Sequence, residues 1–415
     1  MSSTTRLRFA FAGALAALAT IACTGSSDAS VDATASRLVV EPGESPTGPG
    51  AAEPNLAATA DGRALLSWLE PAADSTTALR FAVMGDDTQW SEPREVMRRT
   101  DLFVNWADFP SVIELADGRL LAHWLQRNGS GTYAYDVRVA ESSDNGRTWT
   151  ESVTPHTPGI EAEHGFVAMM PTSDSGAAMV LLDGGAGGED GHGAVMHLRY
   201  ATWGEDGVAS DVVIDHSVCD CCQTGIAMTT TGPVITYRDR TDAEIRDIHV
   251  MRLVDGAWQE PKPVHADGWK IDFCPVNGPA ISAVGDTVVV AWFAAPGDSA
   301  KARVAFSTDG GATFGTPIRV DGGAPTGRVD VELLDGRTAL VSWVERIGVE
   351  EAEVWARLVD IGGTANEHAV VSTSSAARSS GFPRMIRTRD GVVMAWTIPG
   401  TPSAIRTARV RVGAR

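Results

Sequence analysis

One hydrophobic pattern recurs along the chain: an apolar run, an Asp-Gly turn, then a second apolar run ending in an aromatic residue. It reads PNLAATADGRALLSW at 54–68, PSVIELADGRLLAHW at 110–124, PAISAVGDTVVVAW at 279–292, VDVELLDGRTALVSW at 329–343 and PRMIRTRDGVVMAW at 383–396. Looser copies are VAMMPTSDSGAAMVLL at 167–182 and GIAMTTTGPVITY at 225–237. Apolar runs this short, broken at Asp-Gly, predict hairpins of two buried strands. Their starts fall about 50 to 58 residues apart, a spacing in the range of propeller blades.

Each hairpin is followed by a third and a fourth strand joined by a second turn. In two copies that turn is SSDNGRTW (142–149) and STDGGATF (307–314), with degenerate forms at Asp86-Asp87-Thr88-Gln89-Trp90, Glu205-Asp206-Gly207 and Asp255-Gly256-Ala257-Trp258. Glycine permits the positive φ of such a turn, the Asp carboxylate can accept its N–H groups, and the aromatic packs beneath. The two clear copies match the Asp-box, Ser-x-Asp-x-Gly-x-Thr-Trp/Phe. On them the chain resembles the Asp-box (bacterial neuraminidase repeat) β-propellers of the sialidase superfamily, over nearly all of residues 37–412. That resemblance implies an all-β fold in which the Asp-boxes are structural turns remote from the active face.

Seven starts predict seven four-stranded antiparallel blades, with the six of the resembled sialidases as the alternative. The last copy ends after a third strand, TARVRV (407–412), whereas RLVVEP (37–42) reads as an orphan outer strand. Joining the two closes the ring and removes exposed sheet edges. Residues 37–415 are thus expected to form a single propeller domain.

The N-terminus adds an address. Arg6 and Arg8 precede an apolar stretch, Phe9 to Ala22, too short to span a bilayer, so residues 1–22 read as a signal peptide. Thr20-Ile21-Ala22-Cys23 resembles a bacterial lipobox, which implies lipidation of Cys23. Residues 23–36, small and polar, then form a flexible tether. These segments predict a lipoprotein of the cell envelope that meets the membrane only through its anchor. Loss of the signal takes the formal charge from −19 to −21. A field of that sign repels phosphate backbones and excludes general nucleic-acid binding.

Propeller topology converts offsets into faces. Loops leading to each innermost strand, and loops joining second and third strands, open on one face around the channel; the Asp-boxes lie on the other. The mouth face is then expected to carry NWADF (105–109), EAEHGF (161–166), HSVCDCCQT (216–224), KIDFCPVNG (270–278), APTGR (324–328), ARSSGF (377–382), RDRTDAEIRD (238–247) and GGAGGEDGHG (184–193). Candidate ligand-binding residues there are Arg238, Asp239, Arg240, Arg328, Trp106 as a stacking platform, and His164 as a base. The charged loop around Asp239, Asp242, Glu244 and Asp247 has a plainer reading as solvated surface. Trp68, Trp124, Trp292, Trp343 and Trp396 share one blade position and are expected to be core.

Four cysteines remain besides Cys23. Cys219, Cys221 and Cys222 lie 52 to 55 residues before Cys274, one repeat away, so two neighbouring blades should present them side by side at the mouth. In an exported protein the plain reading is a disulfide from Cys274 to one of the trio. The sharper reading is a thiolate metal site at Cys219, Cys221, Cys222 and Cys274, with His216 nearby, for Cu(I) or Zn²⁺.

The resemblance to sialidases also sets chemical requirements: three arginines for the substrate carboxylate, a tyrosine nucleophile assisted by Glu, and an Asp acid/base. Here Glu53-Pro54-Asn55 stands where the family carries Arg-Ile-Pro, and no tyrosine follows Tyr237. The leading expectation is therefore binding of a small molecule, glycan or protein partner through the Cys-rich mouth. A sialidase-like glycoside hydrolase and a scaffold with an inter-blade disulfide are the alternatives.

Overall fold

The computed structural model describes residues 36–185 and 195–414, besides Met1. Residues 2–22 of the expected signal peptide, Cys23 and all of the tether except Ser36 lie outside the described residues, as do residues 186–193 of the loop 184–193.

The described residues form seven antiparallel sheets arranged as blades. Innermost strands are Ala52–Ala58, Ser111–Glu114, His164–Pro171, Gly225–Thr229, Ala280–Val284, Pro325–Leu333 and Arg384–Thr388, one for each of blades 1 to 7. Seven blades, the first of the two expected counts, is the number observed. Outer strands vary more. Blade 4 splits its fourth strand into Ala257–Trp258 and Lys262–Pro263, and blade 2 replaces it with a single bridge between Val139 and Val153.

The second strand of each blade carries the core. Ala177–Gly184 is buried throughout, and Ala64–Pro71 and Leu120–Arg127 are buried over their first six positions. Trp68, Trp292 and Trp343 have no exposed surface, and Trp124 and Trp396 have almost none. At 150–250 Å² per aromatic side chain and ~25 cal/mol per Å², each contributes roughly 4–6 kcal/mol of gross burial. The indole N–H of Trp68 donates to Glu70 Oε2 (2.9 Å), and Trp343 repeats the arrangement on Glu345 (2.7 Å). Core packing, as expected, is what this tryptophan series does.

Ring closure follows the predicted route. Ser36–Gly43 pairs antiparallel with Ala404–Ala414, from Ser36 opposite Ala414 to Gly43 opposite Thr407. The first described segment thereby becomes the outer strand of the last blade.

Neighbouring blades are also stitched by side chains at the channel. Asp108 Oδ1 accepts the N–H of Phe166 (2.8 Å), Gln223 Oε1 that of Gly278 (2.9 Å), Asn277 Oδ1 that of Arg328 (2.8 Å), and Asp330 Oδ2 that of Met385 (2.7 Å). Each bond spans one repeat and satisfies a buried donor of the next blade. Two need glycine beside them. A Cβ on Gly165 would lie 2.0 Å from Asp108 Oδ2, and one on Gly327 would lie 2.1 Å from Asn277 Oδ1.

Both clear Asp-boxes are wired alike. Asp144 Oδ1 accepts the N–H groups of Arg147 and Thr148, and Oδ2 takes the Thr148 hydroxyl. Asp309 does the same with Thr313. They are turn fasteners on the face opposite the mouth.

Candidate functional site

The channel encloses a cavity of about 320 Å³. Asn55, Asp108, Gln223 and Arg384 line it where the inner strands begin, while Ile113, Ile226, Ile281 and Ile386 supply apolar wall. Most of the polar groups are spent on the stitching described above. Arg384 differs. Its Nε donates to Asn55 Oδ1 (3.3 Å) and lies 3.6 Å from Asp330 Oδ2, and the guanidinium sits over the Phe109 ring at 5.4 Å.

Beside the cavity, Tyr135 Oη lies 3.0 Å from Asp108 Oδ2 and 3.1 Å from Glu163 Oε1. The tyrosine has one proton to give, so the second contact requires a proton on a carboxyl. Burial pushes Asp108 up to about 7, against the pull of the Phe166 N–H and the Tyr135 hydroxyl. Burial, then the charge of Asp108, pushes Glu163 up to about 8. Both groups therefore hold protons in the folded chain that the unfolded chain has already released. The contribution of this pair to stability is expected to be fully present below about pH 4, to fall as pH rises, and to be lost above about pH 8. Urea midpoints of the wild type and Asp108→Asn across this window check it: the difference, wild type minus variant, should fall as pH rises, and a difference that does not change with pH contradicts it.

The cysteine loop connects the outer strand of blade 3, Gly207–Asp215, to the inner strand of blade 4. The Val218 N–H donates to Met196 O and the Cys219 N–H to Arg238 O, which pins the loop to both blades. Cys221 and Cys274 form a disulfide across the seam between blades 4 and 5. This is the expected inter-blade bridge. Cys219 and Cys222 are free, buried, and 3.0 Å apart at sulfur. The sulfurs of Cys219, Cys221 and Cys222 lie within 4.8 Å of one another. Arg246 Nη1 approaches Cys219 Sγ at 3.6 Å. Burial pushes the Cys219 thiol up, but the Cys222 hydrogen bond, the Arg238 charge, the Cys221 N–H and Arg246 together bring it down to about 7. Burial, and then Cys219 itself, drive Cys222 the other way, well above the ordinary thiol range. The expected neighbour His216 instead packs edge-on against His197 at 5.3 Å.

The remaining candidates divide sharply. Arg238 is 2% exposed, and its guanidinium donates to the carbonyls of Asn277, Arg246 and Phe293. Arg328 is likewise buried and donates to Ser380 Oγ and Ala377 O. Both were expected to meet a ligand. Both instead satisfy loop acceptors inside the protein, because a long side chain entering the mouth segment turns inward to unpaired carbonyls. Trp106 is not an open platform either: Phe382 stacks on it at 5.8 Å, and Arg328 and Arg378 lie over its ring. His164 is fully buried, with Nδ1 2.7 Å from Asp183 Oδ1 and Nε2 3.2 Å from Ile160 O, so it cannot act as a surface base.

Arg240 is clasped by Asp220 (3.0 Å) and Glu244 (2.8 Å), and Glu244 also holds Arg246. The charged loop is thus a network folded upon itself. Asp239 lies within it, raised to about 6 by burial and by Asp215. A second grouping, Asp136, His156 and His164, has the spacing of a metal site. It does not have the chemistry. His156 Nε2 accepts the Val137 N–H and its Nδ1 faces Thr157 O, while burial pushes the ring down to about 4.

Sequence reading passed over Arg384 and the Tyr135 cluster. The signal for Arg384 was available: Asn55, Ser111, Ala280 and Arg384 each follow the proline that opens a repeat, and all four line the cavity. It also passed over Cys219 and Cys222 as a Cys-x₂-Cys pair. Nothing local marks Tyr135, whose partners come from two other loops.

No family model and no curated protein matches the chain. Among solved structures it is similar to a protein of unknown function from Dyadobacter fermentans, at 15% identity, covering 92% of this chain and 100% of that one with a TM-score of 0.50. It is also similar to the phage phi92 endosialidase, at 8% identity over 92% and 70% of the two chains, TM-score 0.50. The NanB sialidase of Streptococcus pneumoniae, as its K499G mutant, gives 9% identity over 91% and 94%, TM-score 0.46. The fold is therefore that of the sialidase-like propellers. At these identities the likeness extends to architecture alone.

Proposed function

We propose that this chain is an exported, lipid-anchored propeller of the cell envelope that binds a polyhydroxylated ligand, a glycan or a related small molecule, at the mouth of its channel. The supporting observation is Arg384, a cation lining a cavity of about 320 Å³ and hydrogen-bonded, among the described residues, through its Nε alone. A cavity of this size, part apolar with a few convergent polar groups, has the character of a small-ligand site. Arg238 and Arg328, two of the arginines expected at the mouth, are committed to acceptors inside the protein and so are not free to clamp a sialoside carboxylate. Tyr135, although beside Glu163, is buried and stacked on Phe103 at 3.9 Å, out of reach as a nucleophile. Saturation-transfer NMR with neutral and sialylated oligosaccharides tests the reading. Neutral sugars should bind and Arg384→Ala should weaken them at least ten-fold; binding that ignores Arg384, or none at all, rejects it.

The free sulfur pair favours a second reading, a soft-metal site. With Cys221 and Cys274 bonded to each other, two thiols remain, which suits Cu(I) better than the four ligands Zn²⁺ takes. Anaerobic competition against a chromophoric Cu(I) chelator should give one ion per chain, lost in Cys219→Ser. Equal uptake by that variant would remove the site.

A further inference from the structure

We propose that the four cysteines at the seam of blades 4 and 5 form a thiol–disulfide exchange centre, in which the buried Cys219/Cys222 dithiol reduces the Cys221–Cys274 bridge and, through it, an external disulfide. The inference is independent of the channel ligand.

Three observations carry it. Cys219, Cys221 and Cys222 hold their sulfurs within 4.8 Å of one another, so an inner thiol lies beside one sulfur of the bridge. The two pairs differ in access: Cys219 and Cys222 are 1% and 2% exposed, whereas Cys274 is only half-buried and follows Phe273, which is 67% exposed. Finally, Arg246 Nη1 sits 3.6 Å from Cys219 Sγ, a cation beside the attacking sulfur. A merely structural bridge would need no second, reduced pair beside it.

The exchange balances without an added electron. The Cys219 thiolate attacks Cys221 Sγ, a Cys219–Cys221 bond forms, and the bond to Cys274 breaks with Cys274 leaving as thiolate. Cys222 then loses its proton and attacks Cys219 Sγ; Cys221 leaves and takes up a proton. The disulfide has moved from 221–274 to 219–222, and Cys274 is now a free thiol at the surface. The Cys221/Cys274 dithiol can next reduce a disulfide RSSR to two RSH and re-form the bridge. In sum, Cys219 and Cys222 are oxidised and the external disulfide is reduced. Phe273 offers that partner an apolar contact beside the reacting sulfur.

The test uses the full chain, with a Cu(I) chelator present so that no metal ties up the inner pair. Native protein is treated with iodoacetamide, quenched in acid, and mapped by mass spectrometry. Cys274 should become labelled in the wild type. In Cys222→Ser labelling should persist, because Cys274 already leaves when the Cys219–Cys221 bond forms. Cys219→Ser and Cys219→Ala should each lower Cys274 labelling at least ten-fold while keeping the Cys221–Cys274 bridge, so a defect peculiar to one substitution does not decide the result. With glutathione disulfide as the probe, the wild type should release two thiols per chain and end with two disulfides. A bridge that never opens in the native chain overturns the proposal, as does labelling of Cys274 that is unchanged without Cys219. Added Cu(I) should slow labelling if the metal reading holds; no slowing rejects that reading and leaves the exchange standing.

Discussion

A chain from which Ser36–Gly43 has been deleted should fail to form a stable ring and should aggregate. The deletion strips all eight paired positions from Ala404–Ala414 and leaves a long, unpaired strand edge, the feature that invites pairing with other chains. It also removes Leu38, 6% exposed and packed in the cluster of Leu358, Met394, Trp396 and Val410. Loss of that one side chain is worth about 2–5 kcal/mol, so the whole strand should cost more than the leucine. Urea unfolding and light scattering give the answer. A truncated chain that stays monomeric with the parent midpoint would mean that blade packing alone closes the wheel.

Arg238→Met should be the most damaging single substitution at the mouth. It leaves the carbonyls of Asn277, Arg246 and Phe293 buried without their donor, and it removes the cation 4.8 Å from the Trp269 ring. Each orphaned buried acceptor costs about 1–3 kcal/mol, which puts the loss at about 3 kcal/mol or more. Arg238→Lys should recover only part of it, since one ammonium cannot span three separated acceptors. A second readout belongs to the same change: with that charge gone, the Cys219 thiol should titrate higher than about 7. An unchanged urea midpoint together with an unchanged thiol titration would show that the guanidinium holds nothing.

These two residues and segments also mark where sequence was informative. Blade number, the tryptophan stack and ring closure were legible because each rests on periodic burial. Trp68, Trp292 and Trp343 recur at one phase of the repeat, and RLVVEP was one strand too many at one end of the chain where TARVRV was one too few at the other. The meeting of Cys221 with Cys274 was legible for the same reason, a separation of one repeat. Side-chain direction was not. Offsets place Arg238, Arg328 and His164 in mouth segments, but whether each turns outward depends on which carbonyls and carboxylates lie within reach, and for Arg238 two of the three acceptors, Asn277 O and Phe293 O, are 39 and 55 residues away, while for His164 the carboxylate is Asp183. Arg384 shows the converse: it sits in a strand, where a core reading was natural, yet it lines the open channel.

The ring-closing strand has one more consequence. Ser36 pairs with Ala414 at the Asp-box end of the last blade, so the upstream chain leaves the wheel from its rear. If Cys23 bears acyl chains, the twelve residues 24–35 separate it from that exit, a leash of at most roughly 45 Å. Under the proposed lipidation such a leash would moor the disc by its back, with Arg384 and the Cys274 rim turned outward toward whatever drifts past the bilayer.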